Sequence, residues 1–89
     1  MNDQDLRFFI SVYDARNFLR ASEALRVTPA AVSLRIRKLE REIGAPLFVR
    51  LQRGVRPTAK AAVLYRVAIR AIAAMEDVER AAKPLKGAA

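Results

Sequence analysis

Hydrophobic residues return along this chain at helical intervals in four stretches, interrupted once by a short run of strand character. Leu6, Phe9, Ile10 and Tyr13 stand at i, i+3, i+4 and i+7, the spacing that lines one face of an α-helix. With Asn2 or Asp3 as N-cap, this predicts a first helix over about residues 3–15. Asn17 can cap a short second helix ending at Arg26, with Phe18, Ala21, Ala24 and Leu25 as its core face. Val27 and Thr28 then form a brief turn. Thr28-Pro29 signals a third helix, because a hydroxyl cap precedes a proline at the first helical position, where its missing N–H costs nothing. Val32, Ile36, Leu39 and Ile43 give that helix a buried stripe, and Gly44 suits its left-handed C-terminal cap.

Leu47-Phe48-Val49-Arg50 and Val55-Arg56 predict two short strands joined through Leu51-Gln52-Arg53-Gly54, with Gly54 supplying positive φ. The result is a hairpin carrying Arg50, Arg53 and Arg56. Thr58 can cap a last helix that Pro84 must end, over about residues 59–83. Ala61, Leu64, Ala68, Ala71, Met75, Val78 and Ala82 follow a heptad-like mean spacing along it. A second stripe of Tyr65, Ile69 and Ile72 stops at Glu76. One stripe can pack on the domain while the other meets a partner helix, so Leu64, Ala68, Ala71, Met75, Val78 and Ala82 are the expected dimer interface. A single intramolecular face is the alternative. Residues 84–89 are expected to fray.

Composition narrows what these helices do. An 89-residue chain forms one small domain, burying roughly 60% of its unfolded surface. Its 17 alanines explain much of the 53% hydrophobic content and favour helix. It has no Cys and no His, which removes disulfides, thiol nucleophiles, zinc-finger spacings and the commonest general base. The expectation is therefore no enzyme, no metal and no cofactor. The acidic start, Met1 to Asp5, is unlike a signal peptide, and Arg66 and Arg70 interrupt the most apolar stretch. A cytoplasmic, nucleoid-associated protein without membrane contact is expected.

The net charge of +8 calls for an anionic partner. Residues 26–56 concentrate it, with eight basic side chains against two acidic ones. Opposite the buried stripe of the third helix lie Ala30, Leu34, Arg37 and Arg41, flanked by Ser33 and Lys38. Two helices joined by a tight turn, the second capped and basic on its outer face, match the helix-turn-helix arrangement for the major groove. Thr28, Pro29 and Ala30 let phosphates approach the helix N-terminus. Ser33 can donate to a phosphate or base, and Leu34 suits a thymine methyl or is simply exposed. Arg37, Lys38 and Arg41 suit phosphate contacts; Arg35, at the edge of the core stripe, can contact DNA or pair with an acid. Arg53 and Arg56 can reach the minor groove or protect the hairpin edge, and Arg50 can do so or pack against an acid.

Two other readings compete. The basic surface could bind RNA or an acidic protein, but the aromatics lie mostly at core positions rather than on a stacking platform. The last helix could lie on a membrane surface, but Glu76, Asp77 and Glu79 weaken attraction to anionic lipid.

Several segments together resemble the N-terminal DNA-binding domain of LysR-type transcriptional regulators, over about residues 4–83. They are Leu6-Arg7-Phe8-Phe9, Asn17-Phe18, Ala21-Ser22-Glu23-Ala24-Leu25, Val27-Thr28-Pro29-Ala30-Ala31-Val32-Ser33, Ile36-Arg37-Lys38-Leu39-Glu40, Leu47-Phe48-Val49-Arg50 and Arg53-Gly54-Val55-Arg56-Pro57-Thr58. Leu34 stands where the family often has a polar or basic residue, and Arg35 where glutamine is common. The resemblance implies a mainly α fold, a winged helix-turn-helix over 1–58 followed by a linker helix over 59–83 that pairs antiparallel in a homodimer. It also implies DNA-facing positions at Thr28, Pro29, Ala30, Ser33, Leu34 and Arg37, with a wing around Arg53. Such regulators normally continue into a domain that binds a small-molecule effector, expected to be absent here, and the full-length protein can be a tetramer.

Overall fold

The computed structural model describes residues 1–85 as four helices and one hairpin. The order is α1 (Asp3–Ala15), α2 (Phe18–Leu25), α3 (Pro29–Ile43), β1 (Phe48–Arg50), β2 (Val55–Pro57) and α4 (Ala59–Ala82). Of the tail expected to fray, Pro84 and Leu85 lie outside the helix, and residues 86–89 lie outside the described residues.

Polar caps set the helix starts. Asn2 and Asp5 form a reciprocal capping box on α1, Asn17 accepts from Arg20 N, and Thr28 and Thr58 accept from Ala31 N and Ala61 N. α1, α2 and α3 end in left-handed residues, Arg16, Arg26 and Gly44.

The core joins all these elements around Phe9, Val12, Val32, Leu39 and Leu47, each fully buried. The buried face of α1 is rotated from the predicted stripe: Phe8, Phe9 and Val12 are inside, whereas Leu6, Ile10 and Tyr13 are only partly buried. The cause is that α2, α3 and α4 all pack on α1, widening its buried arc beyond one stripe. On α2, Ala24 is exposed and Ser22 is buried in its place. Phe18, Ala21, Ser22 and Leu25 keep the i, i+3, i+4, i+7 spacing, and the Ser22 hydroxyl donates to Leu19 O at 2.6 Å, which removes its burial penalty.

The hairpin pairs Phe48 with Pro57, Val49 with Arg56 and Arg50 with Val55, antiparallel. Phe48 turns inward, its ring 5.7 Å from Phe9 and 6.3 Å from Phe18. The far end of the hairpin is tied to the α1–α2 corner, where Val55 N donates to Arg16 O at 2.9 Å. Gly54 has φ +75°, and a Cβ there would collide with that same Arg16 carbonyl.

α4 runs back along α1. Tyr65 stacks on Tyr13 at 3.9 Å and donates its hydroxyl to Asp14 Oδ1 at 2.6 Å, which pushes the Tyr65 pKa up because the carboxylate holds the phenolic proton. Further along, Arg7 reaches Glu79 at 3.2 Å and Glu76 at 4.0 Å. This changes the expected use of the helix. Ala68, placed in the dimer seam by spacing, is 2% exposed in the chain's own core, and Leu64 packs against that core. The outward face keeps Ala71, Met75, Val78 and Ala82 of the expected seam and adds Val63 and Val67.

Gly54→Ala is expected to destabilise the domain by about 1–3 kcal/mol, combining a left-handed φ with a backbone collision. Thermal melting is the check. Gly44 has φ +79° but open space where a Cβ would go, so Gly44→Ala should lower the melting temperature less. Equal losses would mean that the Arg16 contact does not hold the hairpin.

Candidate nucleic-acid interface

α2, the turn at Arg26–Thr28 and α3 form a helix-turn-helix whose second helix presents its N-terminus outward. Pro29 has no N–H, Ala31 N is capped by Thr28 Oγ1 at 3.1 Å and Val32 N bonds Thr28 O at 3.2 Å. The Ala30 N–H is therefore the first-turn donor left for an incoming anion, beside exposed Thr28, Pro29 and Ala30 side chains that leave room for it. Thr28 itself acts mainly as the cap.

Along the same face, Leu34, Arg37, Lys38 and Arg41 are exposed. Leu34 is 65% exposed and borders a shallow depression shared with Ala31, Arg35 and Lys38. Among the described residues, Arg37, Lys38, Arg41, Arg53 and Arg56 have no carboxylate partner. Their charges are free for phosphate. Arg53 sits at the hairpin tip and Arg56 on β2, both exposed.

Two arginines depart from a simple DNA-contact role. Arg35 bonds Asp5 Oδ1 at 2.9 Å and lies 4.5 Å above the Phe8 ring. It is a strut between α3 and α1, because its position at the edge of the buried stripe brings it over the α1 N-terminus. Burial of Asp5 opposes its ionisation, but the Asn2 N–H and the Arg35 guanidinium outweigh that and hold its carboxyl below the usual range. Arg50 meets no acid among the described residues; its guanidinium lies 4.7 Å from the Phe18 ring and donates to Ser33 Oγ at 3.2 Å. Ser33 is half-buried at that junction.

Sequence reasoning missed Glu40, whose side chain accepts from Leu47 N at 2.7 Å and orients the hairpin. Nothing in spacing marks that contact. It also missed Val63 and Val67, 54% and 58% exposed. Val63, Val67, Ala71, Ala74 and Val78, at steps of four, four, three and four, share one helical face that the seam through Ala61, Leu64 and Ala68 passes over. Among the described residues there is no cluster of potential metal ligands, and no helix is long and apolar enough to cross a membrane.

A helix-turn-helix with a basic outer face and an arginine-bearing hairpin beside it defines a winged helix-turn-helix domain. Residues 4–62 match the family described as bacterial regulatory helix-turn-helix protein, lysR family, and the chain belongs to that family. It is 38% identical over 86 residues to the HTH-type transcriptional regulator BudR of Klebsiella aerogenes and 40% identical over 86 residues to that of Raoultella terrigena. Each match takes in 92% of this chain, but the chain spans only 60% and 30% of those relatives. The fold also superposes on a crystal structure of the BenM DBD/benA site 1 DNA complex, with TM-score 0.85 and 28% identity over 90% of both chains. A CbnR DBD–DNA complex matches with TM-score 0.82 and 29% identity, over 92% of this chain and 98% of that one.

Removing the Asp5–Arg35 strut should act on stability rather than on sequence preference. The lowered Asp5 pKa stabilises the fold above about pH 4, the ordinary carboxyl value, and that contribution disappears as pH falls through the lower folded value. Asp5→Asn is therefore expected to melt below the parent at pH 7, with the gap closing in acid. Arg35→Ala should lose about 1–2 kcal/mol of stability and leave DNA sequence preference unchanged. A changed preference would make Arg35 a reader.

Proposed function

We propose that this chain is the DNA-binding part of a transcriptional regulator that recognises specific double-stranded sequences as a homodimer. The observation that carries the reading is the α3 face: an uncapped N–H at Ala30, an exposed Leu34, and Arg37, Lys38 and Arg41 without acidic partners among the described residues. The DNA complexes of the similar BenM and CbnR domains support it. α3 enters the major groove with Thr28, Pro29, Ala30, Ser33 and Leu34 toward bases or adjacent phosphates, while Arg37, Lys38 and Arg41 clamp phosphate. Arg53 and Arg56 extend contact to the minor groove or backbone. No step of this reading needs catalysis.

Pairing runs through the outward face of α4, centred on Val63, Val67, Ala71, Met75, Val78 and Ala82, where apolar side chains remain exposed. The two α3 helices then lie about one helical turn of DNA, or a multiple of it, apart on an inverted repeat. Because the relatives are longer, a small-molecule effector domain and a tetramer belong to the proposal for the whole protein, as does a cytoplasmic, nucleoid-associated location.

Selection of bound duplexes from random DNA is expected to return an inverted repeat. With about three to five phosphates engaged per copy, the log–log slope of affinity against salt should be on the order of −5 to −9. A flat salt response, or no recovered motif, would overturn the proposal. For the pairing face, Val67→Glu should halve the mass seen by light scattering while the chain keeps its helical circular dichroism, and an unchanged dimer would reject this face.

A further inference from the structure

The junction of Arg50, Ser33 and Phe18 is not explained by a simple list of DNA-facing positions. Phe48 and Arg50 are i and i+2 on β1 and therefore share one face of the strand. Both meet Phe18: the Phe48 ring packs edgewise at 6.3 Å, and the Arg50 guanidinium lies 4.7 Å from its centroid. The aromatic ring thus holds a planar cation in place. From there Arg50 Nη2 donates to Ser33 Oγ at 3.2 Å. Arginine has only donors, so Ser33 must be the acceptor, and its own proton has to go elsewhere.

Serine within a helix commonly returns that proton to a carbonyl of the preceding turn. Ser22 does so, bonding Leu19 O at 2.6 Å. Ser33 makes no such bond among the described residues, and its other bond is the one from Arg50. It flanks the exposed Ala30, Leu34 and Arg37 face on the side nearest the hairpin.

We infer that Arg50 is a positioning residue that commits the Ser33 hydroxyl to act as a donor toward a hydrogen-bond acceptor of the DNA. The inference rests on the DNA-binding reading above. It goes further by assigning a direction to one hydrogen bond and by making the hairpin part of recognition without itself reading a base. The acceptor that the Ser33 proton would meet is of a chemistry shared by purine N7, guanine O6, thymine O4 and phosphate oxygens. Arg50 links three elements, so any movement of the hairpin changes what Ser33 can recognise.

A double-mutant cycle on the full chain tests this, with affinity measured for the selected duplex and for every single-base change in it. Ser33→Ala is expected to weaken binding about 3- to 10-fold, the worth of one hydrogen bond. In the Arg50→Met background the same change should cost less than about twofold, because the hydroxyl is no longer directed. Loss confined to one base pair places the acceptor on a base edge; loss shared by all sequences places it on phosphate. Equal cost of Ser33→Ala in both backgrounds would overturn the inference while leaving DNA recognition standing. Absence of any preferred duplex for the unaltered chain would overturn the DNA-binding reading itself. Arg50 is exposed, so Arg50→Met should melt like the parent. Arg50→Gln, too short to bridge from the Phe18 ring to Ser33, provides a second background with the same expected outcome.

Discussion

The chain must reverse between the end of α3 and the start of β1 within four residues, and Glu40 holds that reversal. Its carbonyl accepts from Gly44 N at 2.8 Å and Ala45 N at 3.2 Å, while its carboxylate accepts from Leu47 N at 2.7 Å and Phe48 N at 3.4 Å. Charge-assisted bonds to backbone N–H groups are stronger than neutral ones. Four backbone donors around the turn therefore converge on one residue. Thr58 completes the closure by donating its hydroxyl to Pro46 O at 2.8 Å and its N–H to Leu47 O at 2.9 Å, and it then caps α4. The hairpin and α4 both take their direction from this knot.

From that direction follows the arrangement of the surface. Phe48 enters between Phe9 and Phe18, which sets Arg50 over Phe18 and beside Ser33. At the other end, Val55 bonds the Arg16 carbonyl, and the lack of a side chain at Gly54 permits the approach. The hairpin is thus held at both ends against α1, α2 and α3, so Arg53 projects from a braced support. Rigid support is what a recognition surface requires, since readout of a base edge depends on geometry to a fraction of an ångström.

Much of the candidate face was legible because its exposure depends on local order. The phase of α3 follows from Val32, Ile36 and Leu39, all buried, and that phase places Leu34, Arg37 and Arg41 outside. Where a helix touches several neighbours, phase alone was insufficient. α1 lies against three helices, so Phe8 is buried although it stands off the simple stripe. α4 carries apolar residues on more than one side, and a spacing rule has no means of ranking them. Packing against α1 assigned Ala61, Leu64 and Ala68 to the inside and left Val63 and Val67 outside.

The sequence by itself determined where each helix begins and ends, because capping residues, prolines and left-handed turns act on neighbours within about four positions. Asn2, Asn17, Thr28 and Thr58 all serve as caps in the fold. It also determined the excess of positive charge over residues 26–56. Only the tertiary structure decided which cations remain available. Asp5 and Arg35 are 30 positions apart, and Ser33 and Arg50 are 17 apart. The meeting of such residues depends on how helices cross and where the hairpin docks, a property of the packed core and not of any local spacing. Arg35 was thereby drawn into the framework, Arg50 was tied to Ser33, and Arg37, Lys38 and Arg41 were left without a carboxylate partner among the described residues.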